Sequence, residues 1–138
     1  MTETQVRVNY SETDQMGVVY HARYLVWLDV ARCEHIRQAG VSYAELERRG
    51  FRLAVGDLRI RYRQPARYDD VVRVRCWVRE AVTRRVTFGY ALDVPARQVM
   101  VATAETGMMV LDARLGVGKL PAEVLALIPA EADPVRLF

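Results

Sequence analysis

Hydrophobic and polar positions follow two different periods in the first third of the chain. Residues 5–11 alternate between polar and apolar side chains, which predicts a half-buried β-strand. Residues 19–38 carry apolar side chains every three or four positions, which predicts a long amphipathic helix that stops at Gly40. The apolar stripe of this helix consists of Tyr24, Leu28, Ala31 and His35, with Trp27 beside it.

The remaining chain is dominated by strand-like runs. A capping box at Ser42–Glu45 first predicts a short helix that ends near Gly50. Further on, the connection at 81–83 is short enough for a hairpin, and Pro121 predicts the start of a short helix that stops near Pro129. The predicted strands cover residues 51–64, 71–80, 84–94 and 98–112.

This order of elements predicts a single α+β domain over residues 1–138. One antiparallel sheet must bury its apolar face against another element. Helix 19–38, ~30 Å long at about 1.5 Å per residue, is the only element that can cross several strands. Because helices do not alternate with single strands, a doubly wound parallel sheet is disfavoured. We therefore expect a sheet curled around the long helix.

Composition is that of a globular protein, with 51% apolar and 27% charged residues. No apolar run reaches the ~18 residues of a membrane span, so no membrane insertion is expected. Residues 1–5 are polar and lack the apolar stretch of a signal peptide, which predicts a cytoplasmic location. Cys33 and Cys76 lie far apart in different predicted elements and are expected to be buried, inert thiols.

The basic residues are almost all arginine, nineteen of twenty, and ten lie between Arg52 and Arg85. This excess indicates either an anionic partner, since arginine binds phosphate well, or a solvated sheet face. These arginines alternate with core positions and form no known nucleic-acid motif, so nucleic acid is not the expected partner. Arg84 and Arg85, at the start of a strand, are placed to hold a phosphate group.

Several catalytic arrangements are missing from the sequence. Ser11 and Ser42, the only serines, do not lie in a G-x-S-x-G elbow. His21 and His35 are fourteen residues apart and form no H-E-x-x-H motif, so no metal site is predicted. Neither a P-loop nor a G-x-G-x-x-G motif for a nucleotide cofactor is present. A hydrolytic site in this chain should therefore depend on a carboxylate.

Asp14 is the best candidate for that carboxylate. It precedes the predicted turn at Gly17, whose glycine suits an unusual backbone conformation, and the turn opens into the long helix. If the helix begins near residue 19, the backbone N–H groups of Val19, Tyr20 and His21 have no intrahelical partners and can hold a carbonyl oxygen as it gains charge. The alternative is that Asp14 simply favours a turn.

Other polar side chains near this corner have less defined roles. The His21 imidazole can polarise a carbonyl, assist proton transfer or cap the helix. Tyr20 and Tyr24 can line a pocket, although Tyr24 also suits the core. Glu34 is a second candidate carboxylate, and His35 on the apolar stripe is expected to be structural.

The corner also resembles a known family. The pattern Asp14-x-x-Gly17-Val18-Val19-Tyr20-His21-x-x-Tyr24, followed by Trp27-Leu28-Asp29, is similar to the 4-hydroxybenzoyl-CoA thioesterase family of hot-dog-fold proteins. The Tyr-His version at the helix start is most similar to the branch of aliphatic acyl-CoA thioesterases associated with the Tol-Pal system. The resemblance covers roughly residues 5–130.

The resemblance implies a five-stranded antiparallel sheet wrapped around a central helix, and homodimers or homotetramers with the active site at the dimer interface. It implies an acyl-CoA substrate and no other cofactor. Asp14 becomes the catalytic carboxylate, either as nucleophile or as general base, and the N–H at His21 holds the thioester carbonyl. Gly17, Tyr20 and Tyr24 then contact the substrate, and Arg84 and Arg85 bind the CoA phosphates.

Two other functions remain open at this level. One is dehydration or hydration of an acyl thioester on the same fold, which usually uses a histidine opposite an acidic residue across the interface. Here Asp14 and His21 belong to one local corner, which favours hydrolysis. The other is a non-catalytic module that binds CoA or an acyl carrier.

Overall fold

The computed structural model describes all residues 1–138 and contains one five-stranded antiparallel sheet curled around a long helix. The sheet order is β1-β3-β4-β5-β2, so β1 and β2 form the two edges. The strands are β1 (Thr2–Arg7), β2 (Arg52–Tyr62), β3 (Val71–Val82), β4 (Arg85–Val94) and β5 (Val99–Leu111). The helices are α1 (Arg23–Gln38), α2 (Tyr43–Arg48) and α3 (Ala122–Leu127).

The core lies between α1 and the concave face of the sheet. The stripe predicted for the helix is buried: Trp27, Leu28 and Ala31 are each at most 2% exposed. The facing side chains come from alternate positions of the three central strands, as the period of two requires, and include Val74, Val78, Phe88, Leu92, Ala104 and Met108. The predicted fold, a five-stranded antiparallel sheet around a central helix, is confirmed.

The convex face of the sheet is partly covered by the C-terminal segment. Leu137 packs with Trp77 and Ala91 in a small second core. The Asp133 carboxylate accepts hydrogen bonds from the Trp77 indole at 2.9 Å and from the Arg79 guanidinium at 2.7 and 2.8 Å. Arginine on this face is thus engaged by a carboxylate of the same chain.

The edge strand β2 is exposed along most of its length. Its neighbour β5 satisfies one side of its backbone, and no strand pairs with the other side. Three apolar side chains on β2 are at least 38% exposed: Val55, Leu58 and Tyr62. On the flank of α1, three more are at least 36% exposed: Leu25, Val26 and Val30.

Two predicted boundaries are wrong. The first strand covers residues 2–7 instead of 5–11, because Thr2 and Thr4 occupy inward positions and hide the alternation. The long helix begins at Arg23 instead of residue 19. Val19 is buried, and its pairing with Thr13 in an isolated bridge holds the preceding segment in an extended conformation.

The other elements lie within about three residues of their predicted positions. Ser42 caps α2 as expected, accepting the backbone N–H of Glu45 at 3.1 Å. Cys33 and Cys76 are free thiols. Cys76 is buried as expected, whereas Cys33 is only half-buried, and desolvation raises the pKa of both.

Candidate active site

Asp14 opens a tight turn that is closed by its own side chain. Its backbone N–H donates to the Val18 carbonyl at 2.9 Å, and its carbonyl accepts the Gly17 N–H at 3.0 Å. Carboxylate oxygen Oδ1 accepts the Met16 N–H at 2.8 Å. Gly17 has φ +75°, a left-handed conformation that explains the glycine.

The Asp14 carboxylate is therefore held by one oxygen and free at the other. Oδ2 accepts no hydrogen bond within the chain. The residue as a whole is half-buried and lines a cavity. A carboxylate fixed in this way loses little conformational freedom when it meets a reactant.

The start of α1 corrects the predicted set of backbone donors. The Val19 N–H donates to the Ala66 carbonyl at 2.9 Å and the Tyr20 N–H donates to the Glu12 carbonyl at 2.8 Å, so neither is available. The His21 N–H has no acceptor in the protein. Ala22 occupies the N-cap position and has no side chain that could satisfy the first turn.

A cavity of about 250 Å³ brings the free carboxylate and the helix start together. Four of the predicted site residues line it: Asp14, Val19, His21 and Tyr24. The other walls come from the turn and from the end of β2 with the segment after it: Met16, Val18, Tyr62, Arg63, Gln64 and Pro65.

Tyr24 contributes a protonated hydroxyl to this cavity. The side chain is 3% exposed, and its oxygen accepts the Ala66 N–H at 3.1 Å. Burial is the main reason that its pKa is raised, and the Asp14 carboxylate acts in the same direction. The hydroxyl proton has no acceptor in the chain and is free to donate to a bound molecule.

Comparison with known proteins identifies the family of this chain. A family model described as the thioesterase-like superfamily matches residues 8–131. The chain belongs to the thioesterase-like superfamily. The family predicted from the Asp14–Tyr24 pattern is confirmed, while its assignment to the Tol-Pal branch stays a prediction.

Individual members of the superfamily are similar over most of the chain. YneP of Bacillus subtilis, provisionally named an acyl-CoA thioesterase, is 33% identical over 80% of this chain and 80% of its own. The acyl-CoA thioesterase YbgC of Haemophilus influenzae is 34% identical over 75% and 81%, respectively. The hypothetical protein TT1821 from Thermus thermophilus is 32% identical in sequence. Its crystal structure matches this one with a TM-score of 0.87 over 93% of this chain and 97% of that chain.

Four residues predicted to bind substrate lie outside the cavity of this superfamily member. Gly17 and Tyr20 are close in sequence but do not line it. Arg84 lies in the β3–β4 turn and Arg85 forms an ion pair with Asp57 at 3.2 Å.

The register shows how far those arginines lie from the cavity. Arg85 pairs with Met109 on β5, and Tyr62 at the cavity pairs with Ala102 on the same strand. Seven residues at about 3.4 Å each separate the two positions by ~24 Å. Within one chain, Arg84 and Arg85 therefore cannot touch a group held at Asp14.

The remaining titratable candidates have structural roles. Glu34 forms an ion pair with Arg37 on the surface of α1 and does not line the cavity. His35 is buried, and its Nδ1 lies 3.0 Å from the Thr2 hydroxyl, as expected for a structural histidine.

The contribution of the β2 end was not predicted. Tyr62, Gln64 and Pro65 lie about forty residues beyond the helix start, and only the closure of the sheet around α1 brings them to Asp14. The local signal was an aromatic residue directly before a polar pair and a strand-ending proline.

No three His, Cys, Asp or Glu side chains come close enough together to hold a metal ion. No helix combines the length and the hydropathy needed to cross a membrane.

Proposed function

We propose that this chain hydrolyses an acyl-CoA thioester to a free acid and CoA at the Asp14 cavity. The observation that carries the proposal is that two residues at one cavity each have a free group: Asp14 has a free carboxylate oxygen, and His21 has a backbone N–H with no acceptor. Membership of the thioesterase-like superfamily supports the same chemistry.

The proposed reaction needs only these groups. The thioester carbonyl oxygen sits against the His21 N–H, which stabilises the negative charge that develops on it. One such donor accelerates a reaction by about 10²- to 10³-fold. Asp14 Oδ2 either attacks the carbonyl carbon to form a mixed anhydride or takes a proton from an attacking water. In both routes the C–S bond breaks and CoA leaves as a thiolate. In the first route a water molecule then hydrolyses the anhydride, which releases the free acid and restores the Asp14 carboxylate.

All catalytic groups in this proposal come from the chain, and CoA enters only as part of the substrate. The exposed His21 imidazole makes no hydrogen bond within the chain and is available to orient the carbonyl or the water. The Tyr24 hydroxyl offers a further donor. A CoA ester as substrate is consistent with the cytoplasmic location predicted above.

The size of the cavity limits what one chain can hold. Whole ligand sites typically occupy ~300–1,000 Å³, so about 250 Å³ accommodates the thioester and the adjoining carbons, with the remainder of acyl-CoA outside. The proposal therefore places the rest of the acyl chain and the nucleotide against a second surface.

A second copy of the chain is the proposed source of that surface. The open edge of β2 ends at the cavity residue Tyr62, and α1, with its exposed apolar flank, begins at the same cavity beside Tyr24. Strand edges and contiguous apolar patches of this kind are usually covered by a partner. In such a homodimer, Arg84 and Arg85 of one protomer serve the CoA phosphates at the cavity of its partner.

The test is CoA release from a series of acyl-CoA esters by the wild type and by Asp14→Asn. Asparagine keeps an oxygen for the Met16 N–H, so the turn survives while the charge is lost. We expect kcat to fall at least ~100-fold, within the range for a catalytic acid or base. Asp69→Asn, on an exposed turn outside the cavity, is the matched control.

The outcomes separate the open alternatives. Equal rates for the wild type and Asp14→Asn would remove Asp14 from the mechanism. Hydration of an enoyl-CoA without release of CoA would indicate a hydratase instead. Binding of acyl-CoA without turnover of any ester would indicate a non-catalytic module.

A further inference from the structure

The backbone carbonyl of His21, just before α1, accepts only one hydrogen bond within the chain, and the donor lies on β2. The Tyr62 hydroxyl donates to the His21 carbonyl at 2.6 Å. The helix itself does not use this carbonyl, because the Leu25 N–H donates to the Ala22 carbonyl at 3.2 Å instead. Without Tyr62, the His21 carbonyl would have no hydrogen bond within the chain.

Tyr62 is well placed to hold that carbonyl still. It is the last residue of β2 and pairs with Ala102, and the next residue continues the ladder through the Arg63 N–H to the Val101 carbonyl at 2.9 Å. Its ring packs edge-on against Tyr24, with centroids 5.3 Å apart. A tyrosine hydroxyl is already protonated at neutral pH, and partial burial raises the pKa of Tyr62 further, so this hydroxyl donates.

The two peptide groups around His21 are held from opposite sides. The Tyr20 carbonyl accepts the Arg23 N–H at 2.9 Å, which fixes the peptide plane that carries the His21 N–H. The Tyr62 hydroxyl fixes the next plane through the His21 carbonyl. Together these bonds restrict both backbone dihedrals of His21.

We infer that Tyr62 is a positioning residue that fixes the His21 backbone so that its free N–H meets the substrate carbonyl. This inference rests on the proposed function. It follows from the single partner of the His21 carbonyl and from the rigid attachment of Tyr62 to the sheet. A donor of this kind is effective only when its direction is fixed before the charge develops.

The variant that tests this is Tyr62→Phe, which removes the hydroxyl and keeps the ring against Tyr24. We expect kcat to fall about tenfold, with KM for acyl-CoA within twofold of the wild type. A thioether analogue of acyl-CoA, which has no carbonyl, should bind the variant as tightly as it binds the wild type. Tyr68→Phe, at an exposed tyrosine whose hydroxyl has no partner, is the matched control and should change nothing.

A second measurement does not depend on turnover. In ¹⁵N-labelled protein, the amide signals of His21 and Ala22 should broaden or shift in Tyr62→Phe and stay unchanged in Tyr68→Phe. Unchanged amide signals, or a kcat within twofold of the wild type, would overturn the role of Tyr62. Failure of the proposed function would instead show as an inactive wild type or a fully active Asp14→Asn. The amide signals would then still decide whether Tyr62 restrains the His21 backbone.

Discussion

At the scale of single residues, the two histidines show how environment separates chemistry from structure. His21 is exposed at the cavity, and its imidazole contacts the ring of Tyr20, with centroids 4.4 Å apart. His35 lies at one side of the core, against the Thr2 hydroxyl and the ring of Phe88. The same side chain is thus available to a ligand in one place and locked into the fold in the other.

The burial of His35 predicts a pH dependence of stability. Burial lowers its pKa, the N-terminal ammonium acts in the same direction, and Glu131 opposes both. The unfolded chain therefore binds more protons than the folded one between the lowered pKa and the ordinary value of ~6.5, so stability rises with pH in that window. We expect the free energy of unfolding to fall as pH decreases from about 7 toward 5.

The measurement is the urea midpoint of the wild type, His35→Gln and His21→Gln across this range. Glutamine keeps a hydrogen-bonding group near Thr2 but does not titrate, so His35→Gln should flatten the slope between about pH 7 and 5. His21→Gln should keep the slope of the wild type. An equal slope in His35→Gln and the wild type would contradict the prediction.

At the scale of elements, the turn from Asp14 to Val18 is the part that aims the carboxylate. Its conformation depends on Gly17 at φ +75°, where a side chain finds open space but a strained backbone. Any effect of a larger residue there must act through the backbone and not through a clash. The turn is therefore a clean place to test whether the site depends on local geometry.

Gly17→Val is expected to destabilise the fold by ~1–2 kcal/mol, since a left-handed conformation costs a β-branched residue about that much. It should also lower kcat, because the turn that holds Asp14 must shift. Gly17→Asn is the control, since asparagine tolerates this conformation better, and it should retain most of both properties. Chemical denaturation and CoA release measure the two effects. Equal stability and rate in Gly17→Val and Gly17→Asn would show that the turn is not under this constraint.

The sequence predicted elements well where a single face is buried and poorly where the chain changes direction. The stripe through Leu28 and Ala31 placed α1 because both face the sheet. The predicted start of α1 is too early because the apolar residues Val18 and Val19 fit a helix pattern. In the structure the Val19 N–H instead donates to the carbonyl of Ala66, which lies far along the chain.

The sequence likewise predicts only part of the candidate site. Asp14, His21 and Tyr24 lie within eleven residues, so local spacing was enough to group them. Tyr62 and Gln64 join them only through the closure of the sheet, which no local pattern encodes. Of the three predicted backbone donors, only the His21 N–H is free. The N–H groups of Val19 and Tyr20 donate to carbonyls of the chain, and no local pattern identifies those acceptors.

At the scale of the whole molecule, the cavity of one protomer is smaller than the substrate proposed for it. The cavity holds little more than the reacting group, and the arginines expected to bind phosphate lie ~24 Å along the sheet. The unpaired edge of β2 borders the cavity at Tyr62. These features are explained together if a second copy docks along β2 and supplies the missing surface.

This explanation predicts that assembly and activity fail together. Leu58 is 38% exposed on β2, at the proposed interface. Docking of a second copy would bury a lysine charge at this position, which is unfavourable. Leu58→Lys should therefore convert a dimer to a monomer and lower kcat/KM at least ~10-fold. Leu127→Lys is the matched control and should remain dimeric and active, because this leucine is 43% exposed on α3 and lies beside Thr2 of the opposite edge strand. Light scattering coupled to size exclusion gives the mass, to be compared with 15.8 kDa for one chain, and CoA release gives the rate. A wild type that is fully active as a monomer would contradict the proposal that a second copy completes the site, because every group needed for turnover would then lie on one chain.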